Sequence, residues 1–397
     1  MRRIGPVLAA LLLASCAARS GPVGSVRLAP DNPIHAMDEA ERARVRMAGP
    51  QMLFWPSDLR MARFREMERH FPGTVAAPAR KVRPLPPGES IAGLPQAEVS
   101  AYMAAQNLVG LIVVQDGKVR LESYAHGFAP DQRWTSFSVA KSLTATLAGQ
   151  ALAEGRIRSL ADPVTAYLPE LKGSGYDGVT VEQVLTMSSG VRWNEDYADP
   201  ASDVARMFSE PMRPGFDPAL AYMAKLPREA QPGTRWAYKT GETNLVGAIV
   251  QRATGRVLTD YAAEKLIPAA GFEGELFWIV DPVGTSIGGC CLSLTLRDYA
   301  RFGLLALEGG RGVTSRGWFG EASRPHHGTG APGHGYGYQW WTYPGGMWGA
   351  QGIFGQAVTI LPGKRTVIVQ LGNWPRASDS ALRAEMIRFF ARVGEAL

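Results

Sequence analysis

Ser136-Phe137-Ser138-Val139-Ala140-Lys141 opens a run that stays apolar on one face through Leu143, Leu147, Ala151 and Leu152 and stops at Gly155. That spacing predicts a helix over Ser138 to Glu154 with Ser136 as its N-cap. Three residues apart on a helix, the Ser138 hydroxyl and the Lys141 amine share a face. Ser138 in the first turn also lies near the backbone N–H groups and the positive end of the helix, where developing negative charge is stabilised. Desolvation can lower a lysine enough to activate a serine, or the lysine can stay cationic and assist a second base. A Ser-x-x-Lys pair alone is common by chance, so its setting decides what it means.

Upstream of the pair, Leu108 to Val114 and Lys118 to Tyr124 flank Asp116-Gly117 and read as a β-hairpin. Downstream, Thr180-Val181-Glu182-Gln183 is a capping box that opens a helix to Met187. Further helices are predicted over Thr243 to Thr254 and Leu296 to Leu307, stopped at Gly255 and Gly309. Strand patterns return at Gly337 to Thr342, Met347 to Gln351, Gln356 to Leu361 and Thr366 to Leu371, before a last helix from Ser380 to Val393. Strands at both ends with helices between them predict an α/β (α+β) fold. One antiparallel sheet is built from both chain ends and flanked by helices, with a helical lobe inserted at about 156–330.

Pro-rich Val82 to Gly88 separates this body, 92–397, from an arm at 34–91 that carries a helix over Ser57 to Phe71, with Ser57 as N-cap. Before the arm, Arg2 and Arg3 precede an apolar stretch from Val7 to Ala14, the length of a signal-peptide core and too short to span a bilayer. Leu13-Ala14-Ser15-Cys16 resembles a bacterial lipobox, which implies a cleaved leader at 1–15, lipid on Cys16 and a tether at 16–33. The expectation is an exported, membrane-anchored protein facing the periplasm or the cell surface. Cys290 and Cys291 are adjacent and cannot staple a small domain; two buried thiols are expected, with a vicinal disulfide as the alternative.

The 397 residues are 46% hydrophobic and 20% charged, which excludes disorder as the main state. Of the formal net charge of +6, two units belong to Arg2 and Arg3, and no basic run is interleaved with aromatics, so nucleic acid is not an expected partner. The six histidines have no metal-ligand spacing, and no metal or cofactor is expected.

Two more elements follow the Ser-x-x-Lys pair in order. Gly233-Thr234-Arg235-Trp236-Ala237-Tyr238-Lys239-Thr240-Gly241 presents a phenol on a loop, and Trp348 to Gln356 is a glycine-rich strand edge that another backbone can approach. With Leu185-Thr186-Met187-Ser188-Ser189-Gly190, Thr243-Asn244-Leu245-Val246-Gly247 and Thr295 to Gly303, these resemble the serine β-lactamase and penicillin-recognising superfamily. The class C-like branch with esterases and aminohexanoate-oligomer hydrolases is the nearest, and Trp193 to Tyr197 and Gly352 to Gln356 tilt the chain towards the latter.

The resemblance implies that Ser138 attacks a carbonyl to form an acyl-enzyme, that Lys141 and Tyr238 manage its proton, and that the backbone N–H groups of Ser138 and Ile353 form the oxyanion hole. It also places Tyr197, Thr240, Gln351 and Gly352 on the substrate side. Two positions depart from the superfamily: its Tyr-x-Asn is Tyr238-Lys239-Thr240, and its Lys-Thr-Gly is Ala350-Gln351-Gly352. The cation that clamps a β-lactam carboxylate is thereby lost unless Lys239 or an arginine of the helical lobe replaces it. An ester or linear amide is the expected small-molecule substrate; a β-lactamase or D,D-peptidase and a non-catalytic binding protein are the alternatives. An α/β-hydrolase is excluded by the absence of a Gly-x-Ser-x-Gly elbow at Ser188-Ser189-Gly190. Of Trp193, Tyr197, Trp278, Trp340, Trp341 and Trp348, about two are expected at the cleft, Tyr197 first among them.

Overall fold

The computed structural model describes residues 51–207, 217–281 and 283–397, with 38, 40, 41 and 49 besides. Residues 1–33, with the leader, Cys16 and the tether, lie outside the described residues. Aliphatic runs at the two ends of the body pair with each other: β2 (Leu108–Gln115) lies antiparallel to β12 (Thr366–Gly372), and both are almost wholly buried. β3 (Lys118–Tyr124) flanks β2 through a two-residue turn at Asp116 and Gly117, both at positive φ, which the twist of a tight hairpin requires. From β12 the sheet continues through β11 (Gln356–Leu361), β10 (Trp348–Gly352), β9 (Trp341–Thr342), β8 (Gly335–Tyr336) and β7 (His327–Gly328), eight strands in all.

Alternate residues of β2 serve two cores, as the two-residue period of a strand dictates. Leu111 and Val113 pack with Phe389, Phe390 and Val393 of the C-terminal helix, Ser380–Ala396. Ile112 and Val114 face the larger core, which holds the buried helix Ala140–Ala153 and the helix Leu296–Leu307. Thr295 caps the latter helix, its hydroxyl accepting from the Asp298 amide at 3.1 Å. The capping box at Thr180 and Gln183 is present and starts the helix Val181–Leu185.

The structure differs from the sequence expectation in several places, among them the start of the helix expected from Thr243, which begins at Thr240. First, there is a second sheet, in the order β1 (Gly73–Ala76), β5 (Leu276–Ile279), β6 (Leu292–Thr295), β4 (Arg133–Thr135), so the region taken as a helical lobe also supplies strands. Second, the arm contributes β1, and its Phe64 and Met67 are fully buried in the main core. Third, the arm helix covers only Ser57–Arg63, with Pro56 rather than Ser57 at the N-cap position and no side-chain cap, and a separate turn follows at Met67–Arg69. The chain breaks because the Phe64 carbonyl accepts from the Thr135 amide of β4 at 2.9 Å. Fourth, Gly337 to Thr342 is not one strand: Gln339, at φ 63, turns the chain between β8 and β9. A helix at Gln96–Ala105 that the sequence reading did not mark packs Val99, Tyr102 and Met103 onto the outer core.

Candidate active site

The Ser138 turn is held from three sides. Phe137 takes φ 44, a left-handed conformation that costs a non-glycine residue energy and persists only where the surroundings enforce it. Ser138 sits in a 3-10 turn, Phe137–Val139, and the α-helix proper begins at Ala140. Ser136 stands at the N-cap position of that turn, but its side chain makes no capping hydrogen bond, and the α-helix has Val139 at its own N-cap position. The Ser136 hydroxyl donates to the Phe137 carbonyl at 2.9 Å and accepts from the Leu292 amide at 3.1 Å, tying the turn to β6. From the arm, Phe64 stacks edge-on against Phe137 at 4.9 Å, and both rings meet Phe354.

The turn brings Lys141 to the serine. Its Nζ donates to Ser138 Oγ at 3.2 Å, Thr240 Oγ1 at 3.0 Å and the Gly289 carbonyl at 2.5 Å. All three acceptors are neutral. Burial lowers the Lys141 ammonium to about 8, opposed by the Glu195 carboxylate. Tyr238 lies on the loop before the helix Thr240–Thr254, half-buried, stacked on Trp341 at 5.4 Å, with Lys141 Nζ 5.4 Å from its ring centre. Burial and then Glu195 raise its phenol, while a hydrogen bond with Ser138 opposes them. At neutral pH the phenol therefore keeps its proton.

Glu195 was missed by the sequence reading. Its carboxylate accepts from the Thr240 amide at 2.9 Å, the Tyr197 hydroxyl at 2.5 Å, the Thr240 hydroxyl and the Trp193 indole N–H. A signal was available: in an extended stretch alternate residues share a face, and Trp193, Glu195 and Tyr197 are half-buried while Arg192, Asn194 and Asp196 are exposed. Tyr197 and Trp341 line the cleft, whereas Trp278, Trp340 and Trp348 are buried in the core.

Opposite the serine runs the end of β10. A Cβ added at Gly352 would lie 2.5 Å from the Ser136 carbonyl oxygen and 3.1 Å from the Ser138 nitrogen, so only glycine lets this strand lie against the Ser138 turn. Ile353 follows at the cleft wall, and Gln351 donates to the Tyr343 hydroxyl at 2.6 Å. The cleft is about 560 Å³ and is lined by Ser138, Glu195, Tyr238, Gln351, Gly352 and Arg383, among others. Thr240 lies deeper, behind Ser138, holding Lys141 and Glu195.

Lys239 does not reach the cleft. Its ammonium pairs with Glu242 at 3.1 Å, both side chains almost fully buried. Three arginines line the cleft: Arg60 is held by Asn373 and backbone carbonyls and Arg376 pairs with Asp379, whereas Arg383, from the C-terminal helix and not from the helical lobe, has an Nε with no hydrogen-bond partner among the described residues. Cys290 and Cys291 are joined by a disulfide, not present as two thiols. The alternative reading, a vicinal disulfide, is the one the structure shows, with Cys291 at φ 93. Among the described residues, no group of His, Cys, Asp and Glu is placed to hold a metal ion, and no helix is long and apolar enough to cross a membrane.

A Ser-x-x-Lys turn facing a tyrosine loop and a sheet-edge strand, on an antiparallel sheet flanked by helices, defines the β-lactamase/transpeptidase-like class of folds. A family model described as Beta-lactamase matches residues 96–391, and the chain belongs to that family. It is 36% identical over 283 residues to 6-aminohexanoate-dimer hydrolase of Paenarthrobacter ureafaciens, across 66% of this chain and 72% of that one. Among solved structures it is similar to a provisionally named 6-aminohexanoate-dimer hydrolase from Bacillus anthracis, with a TM-score of 0.72 at 21% identity over 85% of this chain and 95% of that one. A class C beta-lactamase in complex with cefoxitin gives a TM-score of 0.60 at 19% identity over 77% and 99%. At those identities the two structures speak to the fold alone.

Proposed function

We propose that the protein is a serine hydrolase that cleaves a carboxylic ester or a linear amide through an acyl-enzyme on Ser138. The observation that carries this is the seat of Lys141: a buried amine, lowered to about 8, within 3.2 Å of Ser138 Oγ and surrounded by neutral acceptors. In the acylation step Ser138 Oγ bonds to the substrate carbonyl carbon and its proton passes to the neutral Lys141 amine. The oxyanion is held by the N–H groups of Ser138 and Ile353. On collapse, the carbonyl–heteroatom bond breaks and the leaving group takes the Tyr238 proton, which the Lys141 ammonium restores. Water then releases the acid by the same route. The relative from Paenarthrobacter supports a linear amide as one substrate class.

Arg383 favours a second reading, a β-lactamase or D,D-peptidase, because a cleft guanidinium whose Nε has no partner among the described residues suits a substrate carboxylate. One experiment separates these from a non-catalytic binding protein. A fluorophosphonate should label the wild type and not Ser138→Ala, and kcat/KM for p-nitrophenyl butyrate should exceed that for nitrocefin by at least about tenfold, or ~1.4 kcal/mol. Absence of labelling removes the enzyme readings, and the reverse substrate order moves the β-lactamase reading to first place.

A further inference from the structure

A second cavity, of about 90 Å³, opens beside the same hydroxyl as the cleft. Ser138, Leu53, Tyr197 and Ile353 line both spaces, so the serine stands at their junction. The two differ in chemistry. The cleft carries Arg60, Glu195, Asp196, Arg376 and Arg383. The smaller cavity is walled by Met52, Val204, Ile279 and Ile287 and by the Cys290–Cys291 disulfide. Besides Ser138, its hydroxyl-bearing wall residues are Thr240, engaged by Lys141 and Glu195, and Tyr197, which donates to Glu195.

In an acyl-enzyme mechanism the leaving group must depart and water must enter, which needs the wide cleft. The acyl half stays bonded to the serine throughout and can occupy a narrow space. From this partition we infer that the small cavity is the acyl-chain subsite and takes a short, uncharged aliphatic chain. The inference rests on the acyl-enzyme reading and deepens it. A charged terminus buried there would meet no counter-charge and would lose its hydration, so a chain ending in an ammonium or carboxylate is disfavoured. Met52 and Leu53 precede residue 96, where the family match begins, so part of this wall comes from the arm and not from the family core.

The test is a series of p-nitrophenyl esters on the full chain: acetate, butyrate, hexanoate, dodecanoate and 6-aminohexanoate. Burying each methylene should raise kcat/KM about fourfold from acetate to butyrate, with a fall by dodecanoate. Hexanoate should exceed 6-aminohexanoate at least about tenfold. Val204→Phe fills the cavity and should bring the butyrate-to-acetate ratio down to near one. Leu53→Ala, at a half-buried arm position, opens the wall and should move the optimum to a longer chain, which keeps the test alive if Val204→Phe does not fold. Equal use of charged and uncharged chains, or a profile unmoved in the folded variants, overturns the subsite. Ser138→Ala should bind hexanamide at least about tenfold more tightly than acetamide by calorimetric titration. Graded binding without turnover in the wild type supports the cavity and removes the acyl-enzyme reading alone; turnover with no gradient in either assay removes the cavity alone.

Discussion

Lys141 and Lys239 are exposed by only 1% and 2%, and they differ in what surrounds the ammonium. Lys239 is met by the Glu242 carboxylate at 3.1 Å and donates to Ser189 at 3.2 Å. Lys141 is met by two hydroxyls and a carbonyl, with its nearest influential carboxylate, Glu195, spent on Trp193, Tyr197 and Thr240. Lys239 is held as a buried ion pair and serves structure, whereas burial among neutral dipoles lowers the Lys141 ammonium. Under the proposed acyl-enzyme route, its place 3.2 Å from Ser138 Oγ makes Lys141 the candidate base.

The largest effect that could break this contrast is Lys141→Met. It should lower kcat/KM for p-nitrophenyl butyrate by about 10³-fold, within the range general base catalysis supplies, and a loss of under tenfold would remove Lys141 as the base. Tyr238→Phe keeps the stack on Trp341 and deletes the proton, so kcat should fall about 100-fold with a smaller change in KM. A pure KM effect would make Tyr238 a substrate contact.

The pH profile sharpens the same point. A neutral amine lowered to about 8 is lost on acidification, so kcat/KM should fall about tenfold per pH unit below that value and level off above it. A flat profile between pH 6 and 9 contradicts a neutral-lysine base. The smallest effect on rate belongs to Lys239→Met: turnover should stay within about threefold. Stability in urea should drop by about 3 kcal/mol, because the Glu242 carboxylate is left buried without its cation. A rate loss like that of Lys141→Met would erase the distinction between the two lysines.

Several elements were legible because their signals are local. The hairpin at Asp116-Gly117, the capping box at Thr180 and the Leu296–Leu307 helix each carry their cap or turn residues within a few positions, and the structure places them within a residue or so of expectation. The Ser57 helix was overextended because Met61, Phe64, Met67 and Phe71 keep a helical period. What breaks it is a hydrogen bond to β4, some seventy residues on. The second sheet was illegible for the same reason: its four short strands come from the arm, the body and the lobe, and each acquires strand character only from its partners.

At the site, the sequence alone determined which groups could react. Ser138 and Lys141 are three residues apart on one turn, and Tyr238 sits in a recognisable loop, so their chemistry is written in residue type and short spacing. Only the tertiary structure decided what those groups are. Gly289 and Thr240 reach Lys141 from 148 and 99 residues away, and Glu195 is committed to other donors. The arm packs Phe64 against Phe137 of the Ser138 turn, and Arg383 enters from the last helix. A pKa and the shape of a cavity depend on every neighbour within a few ångströms, and those neighbours are gathered by packing, not by order along the chain.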